Sequence, residues 1–166
     1  EGVADVFKEI PVKRRLTDTP VILLAGEIFV RHDDISRQHL LEELAKRGFA
    51  TKVASLLEWV YYTDWCVQNA MSSDHVSVQG RLALLFRSKM MRQYEKVLRK
   101  SILPSNLCWD KLEDVDHVMR NTAHLINPRL VGEAILTVGT ALNDIVDHYC
   151  GAIAIGPFGC MPNRIA

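Results

Sequence analysis

The chain has 166 residues, 48% of them hydrophobic and 24% charged, which fits one globular domain with a sizeable core. Lys plus Arg and Asp plus Glu balance at 20 each, which argues against a general nucleic-acid binder. No apolar run approaches the roughly 20 residues that span a bilayer, and the first residues carry neither the basic nor the apolar region of a signal peptide.

Val3, Val6, Phe7 and Ile10 have helical spacing and Pro11 follows, which predicts the tail of a helix. Lys13, Arg14 and Arg15 then read as a solvated basic linker. Val21 to Ala25 is a continuous apolar run with Pro20 just ahead of it. A run that is apolar on both sides is the mark of a central parallel strand, here expected over 20–30. The run turns polar at Gly26, Glu27, Arg31, His32, Asp33 and Asp34. In open α/β sheets ligands bind outside the carboxyl ends of the strands, so Glu27 and Arg31 are candidate ligand-facing residues. Mutual pairing and helix capping is the plainer role for the same two side chains. Gly26 belongs to no G-x-G-x-x-G fingerprint, so a dinucleotide site is not supported.

Asp34 or Ser36 can cap a helix whose buried stripe is Leu40, Leu41 and Leu44, with Lys46 and Arg47 at its negative end and Gly48 closing it. A second strand is expected over 49–54, completing a right-handed βαβ unit. Residues 55–65 are the most aromatic part of the chain, with Trp59, Tyr61, Tyr62 and Trp65, and packing is their ordinary use. A polar break falls at 71–74. The stretch 78–102 carries Val78, Leu82, Leu85, Phe86, Met90, Tyr94, Val97 and Leu98 at spacings of three and four, which predicts a long helix. Leu82, Phe86 and Val97 are expected inside, and Arg87, Lys89, Arg92, Lys96, Arg99 and Lys100 in solvent. A helix of this length reads as part of an insertion over about 72–127. Further helices are expected over 110–124, with acidic residues Asp110, Glu113, Asp114 and Asp116 at its positive end, and over 130–148, rich in small residues. A third strand is expected over 151–156.

The third strand ends in G-P-F-G-C-M-P-N-R. Two glycines and two prolines fix a tight turn with Cys160 near its tip, before the start of another helix. A thiol in that place suits metal ligation or nucleophilic work, and a buried structural thiol is the alternative. The four cysteines, Cys66, Cys108, Cys150 and Cys160, form no C-x-x-C pair. They are expected as reduced thiols of a cytoplasmic protein, without a self-contained zinc or iron–sulfur site. Lacking an initiator Met, the sequence reads as a piece of something longer.

The motifs A-G-E-I-F-V-R at 25–31, G-E-A-I-L-T-V-G at 132–139 and G-P-F-G-C-M-P-N-R at 156–164, in this order, resemble a domain of large acyl-CoA dehydratase activase-related proteins. These are relatives of the 2-hydroxyglutaryl-CoA dehydratase and benzoyl-CoA reductase systems. The resemblance implies a Rossmann-like domain similar to the dehydratase subunits, beside an ATPase domain that drives low-potential electron transfer. It also implies that Cys160 matches a cysteine that ligates a four-iron cluster in some of those subunits. The ATPase phosphate-binding loops and the bridging cluster cysteines are absent here.

The expectation is therefore one α/β domain over 1–166, three-layered and Rossmann-like (flavodoxin-like), with a short parallel sheet and a helical insertion. Its expected function is as an accessory or substrate-side domain of an ATP-dependent 2-hydroxyacyl-CoA dehydratase or activase. The alternatives are an interaction module that docks the ATPase domain to its electron acceptor, and an enzyme with Cys160 as nucleophile. No cofactor is expected in this piece alone, whereas an iron–sulfur cluster belongs to the intact protein. Expected partners are the ATPase domain of the same protein, dehydratase or reductase subunits and acyl-CoA, with no nucleic acid and no membrane.

Overall fold

The computed structural model describes residues 2–71, 77–109, 112–147 and 149–166. Helix α1 is Gly2–Lys8, strand β1 is Val21–Gly26, and the short helices α2 (Ile28–His32), α3 (Asp34–Arg37) and α4 (Leu40–Lys46) follow. Strand β2 (Ala50–Val53) leads into α5 (Leu56–Gln68), then α6 (Val78–Ile102), α7 (Val115–Thr122), α8 (Glu133–Asp147), β3 (Gly151–Ile155) and α9 (Met161–Ile165). By contact the chain forms two compact units. One is Glu1–Thr19 with Val67–Glu113, and the other is Pro20–Cys66 with Asp114–Ala166.

The second unit holds the sheet. All pairing is parallel in the order β2-β1-β3, with Val21 beside Ala50, and Ile22 to Gly26 beside Gly151 to Ile155. The apolar run makes β1 the centre for a physical reason: Leu23 and Leu24 point to opposite faces and both are fully buried. Leu23, Ala25 and Ala54 form a core against which Ala141 of α8 and Tyr149 pack. Helix α7 lies against α8, and Gly139 is what lets it approach, since a Cβ there would run into Thr122 and Val118. The architecture is thus α/β with a short open parallel sheet.

Several boundaries differ from those the sequence suggests. Strand β1 stops at Gly26, not at Val30. Gly26 has φ +104°, and a Cβ there would collide with the Ile155 backbone. Glu27 then caps α2, its Oε2 accepting from the Val30 N–H at 2.8 Å, so Ile28, Phe29 and Val30 become helix. The helix expected after Asp34 is broken into α3 and α4, because Gln38 and His39 are both left-handed. Asp33, not Asp34 or Ser36, supplies the cap of α3. Leu40, Leu41 and Leu44 are half-buried.

Helix α7 starts at Val115, capped by the Asp114 carboxylate, while Glu113 is buried rather than part of an acidic first turn. Asp110 of the expected turn lies outside the described residues. Helix α8 starts at Glu133, because Gly132 has φ +145° and its N–H donates to Tyr62 Oη at 3.0 Å. His148 at the expected end of that helix, and residues 72–74 of the expected polar break, also lie outside the described residues. Helix α7, expected within the insertion, groups with the sheet unit.

The first unit consists of α1, the 3-10 turns Leu16–Asp18 and Leu103–Ser105, and α6. Helix α6 spans the expected residues but presents the opposite side. Leu82, Phe86 and Val97, expected inside, are 62%, 67% and 61% exposed. The less exposed side carries Leu84, Ser88, Met91 and Glu95. The Glu95 carboxylate is buried and takes two bonds from the Arg99 guanidinium at 2.9 and 3.0 Å, and Arg99 Nη1 also reaches the Trp109 carbonyl at 3.1 Å. Arg99 and Arg92 are therefore half-buried, whereas Arg87, Lys89, Lys96 and Lys100 are exposed as expected.

Candidate functional site at the carboxyl edge of the sheet

Strands β1 and β3 run side by side and end together, and the backbone makes the join: Glu27 N–H donates to the Ile155 carbonyl at 2.8 Å. Everything that leaves this edge, Glu27 to Arg31 from β1 and Gly156 to Cys160 from β3, therefore starts from one end of one sheet. Glu27 and the Cys160 turn share that end.

Arg31 is buried at this edge, at 3% exposure. Its Nη1 donates to the Gly26 carbonyl at 3.0 Å and its Nη2 to the Ser55 carbonyl at 3.3 Å, tying the end of β1 to the residue after β2. Its Nε is buried without a hydrogen-bond partner. Burial pushes the guanidinium pKa down. Glu58, Glu133 and Glu27, in that order, push it back up, so the three carboxylates all lie close enough to act on it. Glu58 is itself 1% exposed. Arg31, read from the sequence as ligand-facing, is thus placed inside, as the hub of an acidic group gathered from α2, α5 and α8.

Glu133 is half-buried. Burial raises its pKa above the ordinary carboxylate value, and the Glu27 charge raises it further. A hydrogen bond from Ile28 N–H and the Arg31 charge oppose this more weakly. Glu27 and Glu133 therefore form a carboxylate pair at the mouth of the edge, one of which holds a proton more readily than usual. Such a pair can accept hydrogen bonds from a ligand's hydroxyl or exchange a proton with it. One buried guanidinium among three carboxylates leaves this group with an excess of acidic side chains.

Tyr62, on α5, braces the approach to Glu133. Its hydroxyl accepts from Gly132 N–H, its ring lies 5.4 Å from Trp59 and 6.4 Å from Trp65, and burial pushes its pKa up to about 12. The aromatic stretch therefore packs inside. Cys66, one turn on, is buried, and burial raises its thiol pKa as well.

Cys160 sits at the N-cap position of α9 with no side-chain capping bond, and it is half-buried. Pro157 and Cys160 close the turn by an N–H to carbonyl bond of 3.1 Å, and Gly159 takes the left-handed φ of +81°. Gly156 packs against Asn163, where a Cβ would lie 2.9 Å from Cγ. The turn projects its apolar tip outward: Phe158 is fully exposed and Met161 is 70% exposed.

The residues present do not by themselves fit a four-iron cluster. Cys66 is buried in α5, and Cys150 Sγ donates to the Val21 carbonyl at the opposite end of β1 from Cys160. Among the described residues no group of three or more His, Cys, Asp or Glu is arranged to hold a metal, and no helix is long and apolar enough to cross a membrane.

A separate cavity of about 450 Å³ lies in the first unit, between Arg15, Thr17, Asn106, Cys108 and Trp109. Arg15 there is paired with Asp18 at 2.7 Å, and this bond holds the Asp18 carboxyl below its ordinary pKa.

Glu58 and Glu133 escaped the sequence reading. Glu133 stands in the G-E-A-I-L-T-V-G motif, yet nothing local places either residue in this group, since residues 27, 31, 58 and 133 meet only through the fold. For Glu58 the signal is a carboxylate set among Leu57, Trp59, Tyr61 and Tyr62 in an aromatic helix. No known family profile, curated protein or solved structure matches this chain.

Proposed function

We propose that the chain is a Rossmann-like, three-layer domain of flavodoxin type that serves as the substrate-side part of an ATP-dependent 2-hydroxyacyl-CoA dehydratase or activase in the cytoplasm. The observation that carries this reading is the convergence of Glu27, Glu133 and the Cys160 turn at the carboxyl end of one parallel sheet. Glu27 and Glu133 face the 2-hydroxyl and thioester end of the acyl group, while the acidic character of the edge keeps the CoA phosphates away from it. Arg31 positions both strand ends and acts on the ligand through them. Cys160 offers one thiolate, and a four-iron cluster takes about four ligands. Any cluster at this turn is therefore completed by dehydratase or reductase subunits or by other parts of the same protein, such as the ATPase domain.

The test is anaerobic reconstitution of the intact protein with iron and sulfide. Cys160→Ala is expected to lower cluster content or electron transfer with the circular dichroism spectrum unchanged. If cluster content and electron transfer both stay at wild-type levels, Cys160 is a structural residue and the metal-site reading falls.

A second reading rests on Phe158 and Met161. Two large apolar side chains exposed beside Cys160 suit a non-catalytic module that docks the ATPase domain to its electron acceptor. Phe158→Ser that abolishes docking while acyl-CoA binding is wholly absent from the wild-type protein would favour this reading.

A further inference from the structure

Helix α6 carries a surface that the carboxyl edge does not use. Val78, Leu82, Phe86, Met90, Tyr94 and Leu98 repeat at strict intervals of four residues, and every one is exposed, from 44% at Met90 to 76% at Val78. Leu85 and Val97, also exposed, widen the row. Within the helix stand seven Lys or Arg and a single carboxylate, Glu95, which is buried against Arg99 on the other side. At about 100° per residue, Arg81 and Lys89 border the row on the same side, whereas Lys96 and Lys100 stand on the reverse of the helix from Tyr94 and Leu98. All four are exposed. An exposed apolar ridge rimmed by one sign of charge marks an interaction surface.

We propose that this face of α6 docks an acidic amphipathic helix of a partner protein. Charge complementarity selects the partner's sign. A second copy of α6 would bring the same cations against these and is disfavoured. The geometry selects a helix. A row spaced by four lies along the ridge that packs into the corresponding groove of another helix at about −50°. The same row turns by roughly 40° at each step, so a flat anionic lipid surface meets only part of it. Recognition would place the partner's apolar side chains over Leu82, Phe86 and Met90 and its carboxylates opposite Arg81 and Lys89.

The probe is a fluorescein-labelled peptide of three heptads with Leu on one face and Glu on the others. Its controls are the same peptide with Lys for Glu, and vesicles of phosphatidylglycerol and phosphatidylcholine. Anisotropy is expected to show saturable binding of the Glu peptide that weakens about tenfold between low and high salt, as exposed ion pairs are screened. Leu82→Ser with Phe86→Ser, both at exposed positions, is expected to abolish binding with the helix content unchanged. Arg81→Glu with Lys89→Glu is expected to transfer the preference to the Lys peptide. The proposal is overturned if the Glu peptide does not saturate or the Lys peptide binds the wild-type protein equally well. It is equally overturned if the vesicles take up the protein in place of the peptide, or if sedimentation shows a dimer that tightens as salt is raised.

Discussion

Replacing Arg31 with Met tests the hub of the carboxyl edge. The guanidinium is 3% exposed and bonds the carbonyls of Gly26 and Ser55, which end β1 and follow β2. Met fills much of the same volume but leaves both carbonyls without that donor, each worth about 1–3 kcal/mol when buried and unsatisfied. It also removes the guanidinium on which Glu58, 1% exposed, acts more strongly than Glu133 or Glu27 does. Removing one partner of a buried charge group costs about 3–5 kcal/mol. On a chain of 166 residues each kcal/mol moves Tm by about 2–4 °C, so Arg31→Met should lower Tm by roughly 6–20 °C. Urea unfolding followed by tryptophan fluorescence should show the same loss as a lower midpoint with an unchanged slope. Arg31→Lys keeps the charge but reaches one carbonyl at a time, and should fall between the two. Combining Arg31→Met with Glu58→Gln should recover part of the loss, because the two side chains act on each other. A loss below about 1 kcal/mol in Arg31→Met, or no recovery in the double variant, would refute the hub.

The other expectations concern single positions. Gly26→Ala should cost more than about 2 kcal/mol in urea unfolding, since the residue has φ +104° and a Cβ would meet the Ile155 backbone; a neutral result would mean that the β1–β3 join is looser than described. Gly139→Ala gains about 1 kcal/mol of helix propensity yet should still destabilise, because the new methyl meets Thr122 and Val118 of α7; a higher midpoint would show that α7 can shift. For Tyr62, whose pKa is pushed up to about 12, absorbance titration should show one of the four tyrosines ionising late. The unfolded chain loses this proton near pH 10 and the folded one near 12, so stability should fall as pH rises through that window, and Tyr62→Phe should remove the slope. Glu133 has a raised pKa, so the folded protein holds its proton longer than the unfolded chain. Stability should therefore fall as pH rises from the unfolded value of about 4.5 through the folded one, and Glu133→Gln should flatten that part of the profile; an unchanged profile would place Glu133 in solvent.

What the sequence reveals and what it hides divide along physical lines. The burial of Val21 to Ala25 is legible because a strand that is dry on both faces needs an unbroken apolar run. The end of that strand is not, because Ile28, Phe29 and Val30 suit strand as well as helix. The decision falls to Gly26, whose φ is set by the close approach of Ile155, a residue more than a hundred positions away. The period of α6 is legible from its apolar spacing. Its inward side is not, since the pattern assumes that the apolar face is the packed one. Here the packed side instead satisfies Glu95 by Arg99 and the Trp109 carbonyl. The break between α3 and α4 leaves no Gly or Pro to announce it, and Gln38 and His39 take the left-handed turn instead. The placement of Glu27 and Cys160 at the strand ends is legible, because each follows directly on an apolar strand run. Glu58 and Glu133 join them only through folding.

The most direct test of the central claim is chemical-shift mapping of 2-hydroxyglutaryl-CoA, with free CoA as control, onto the isotopically labelled protein. The substrate-side reading predicts shifts in the amides of Gly26 to Ile28, Gly132, Glu133 and Gly156 to Met161, induced by the acyl-CoA and much weaker with CoA alone. Shifts absent from this edge, or confined to the Arg15, Cys108 and Trp109 cavity of the other unit, would contradict it.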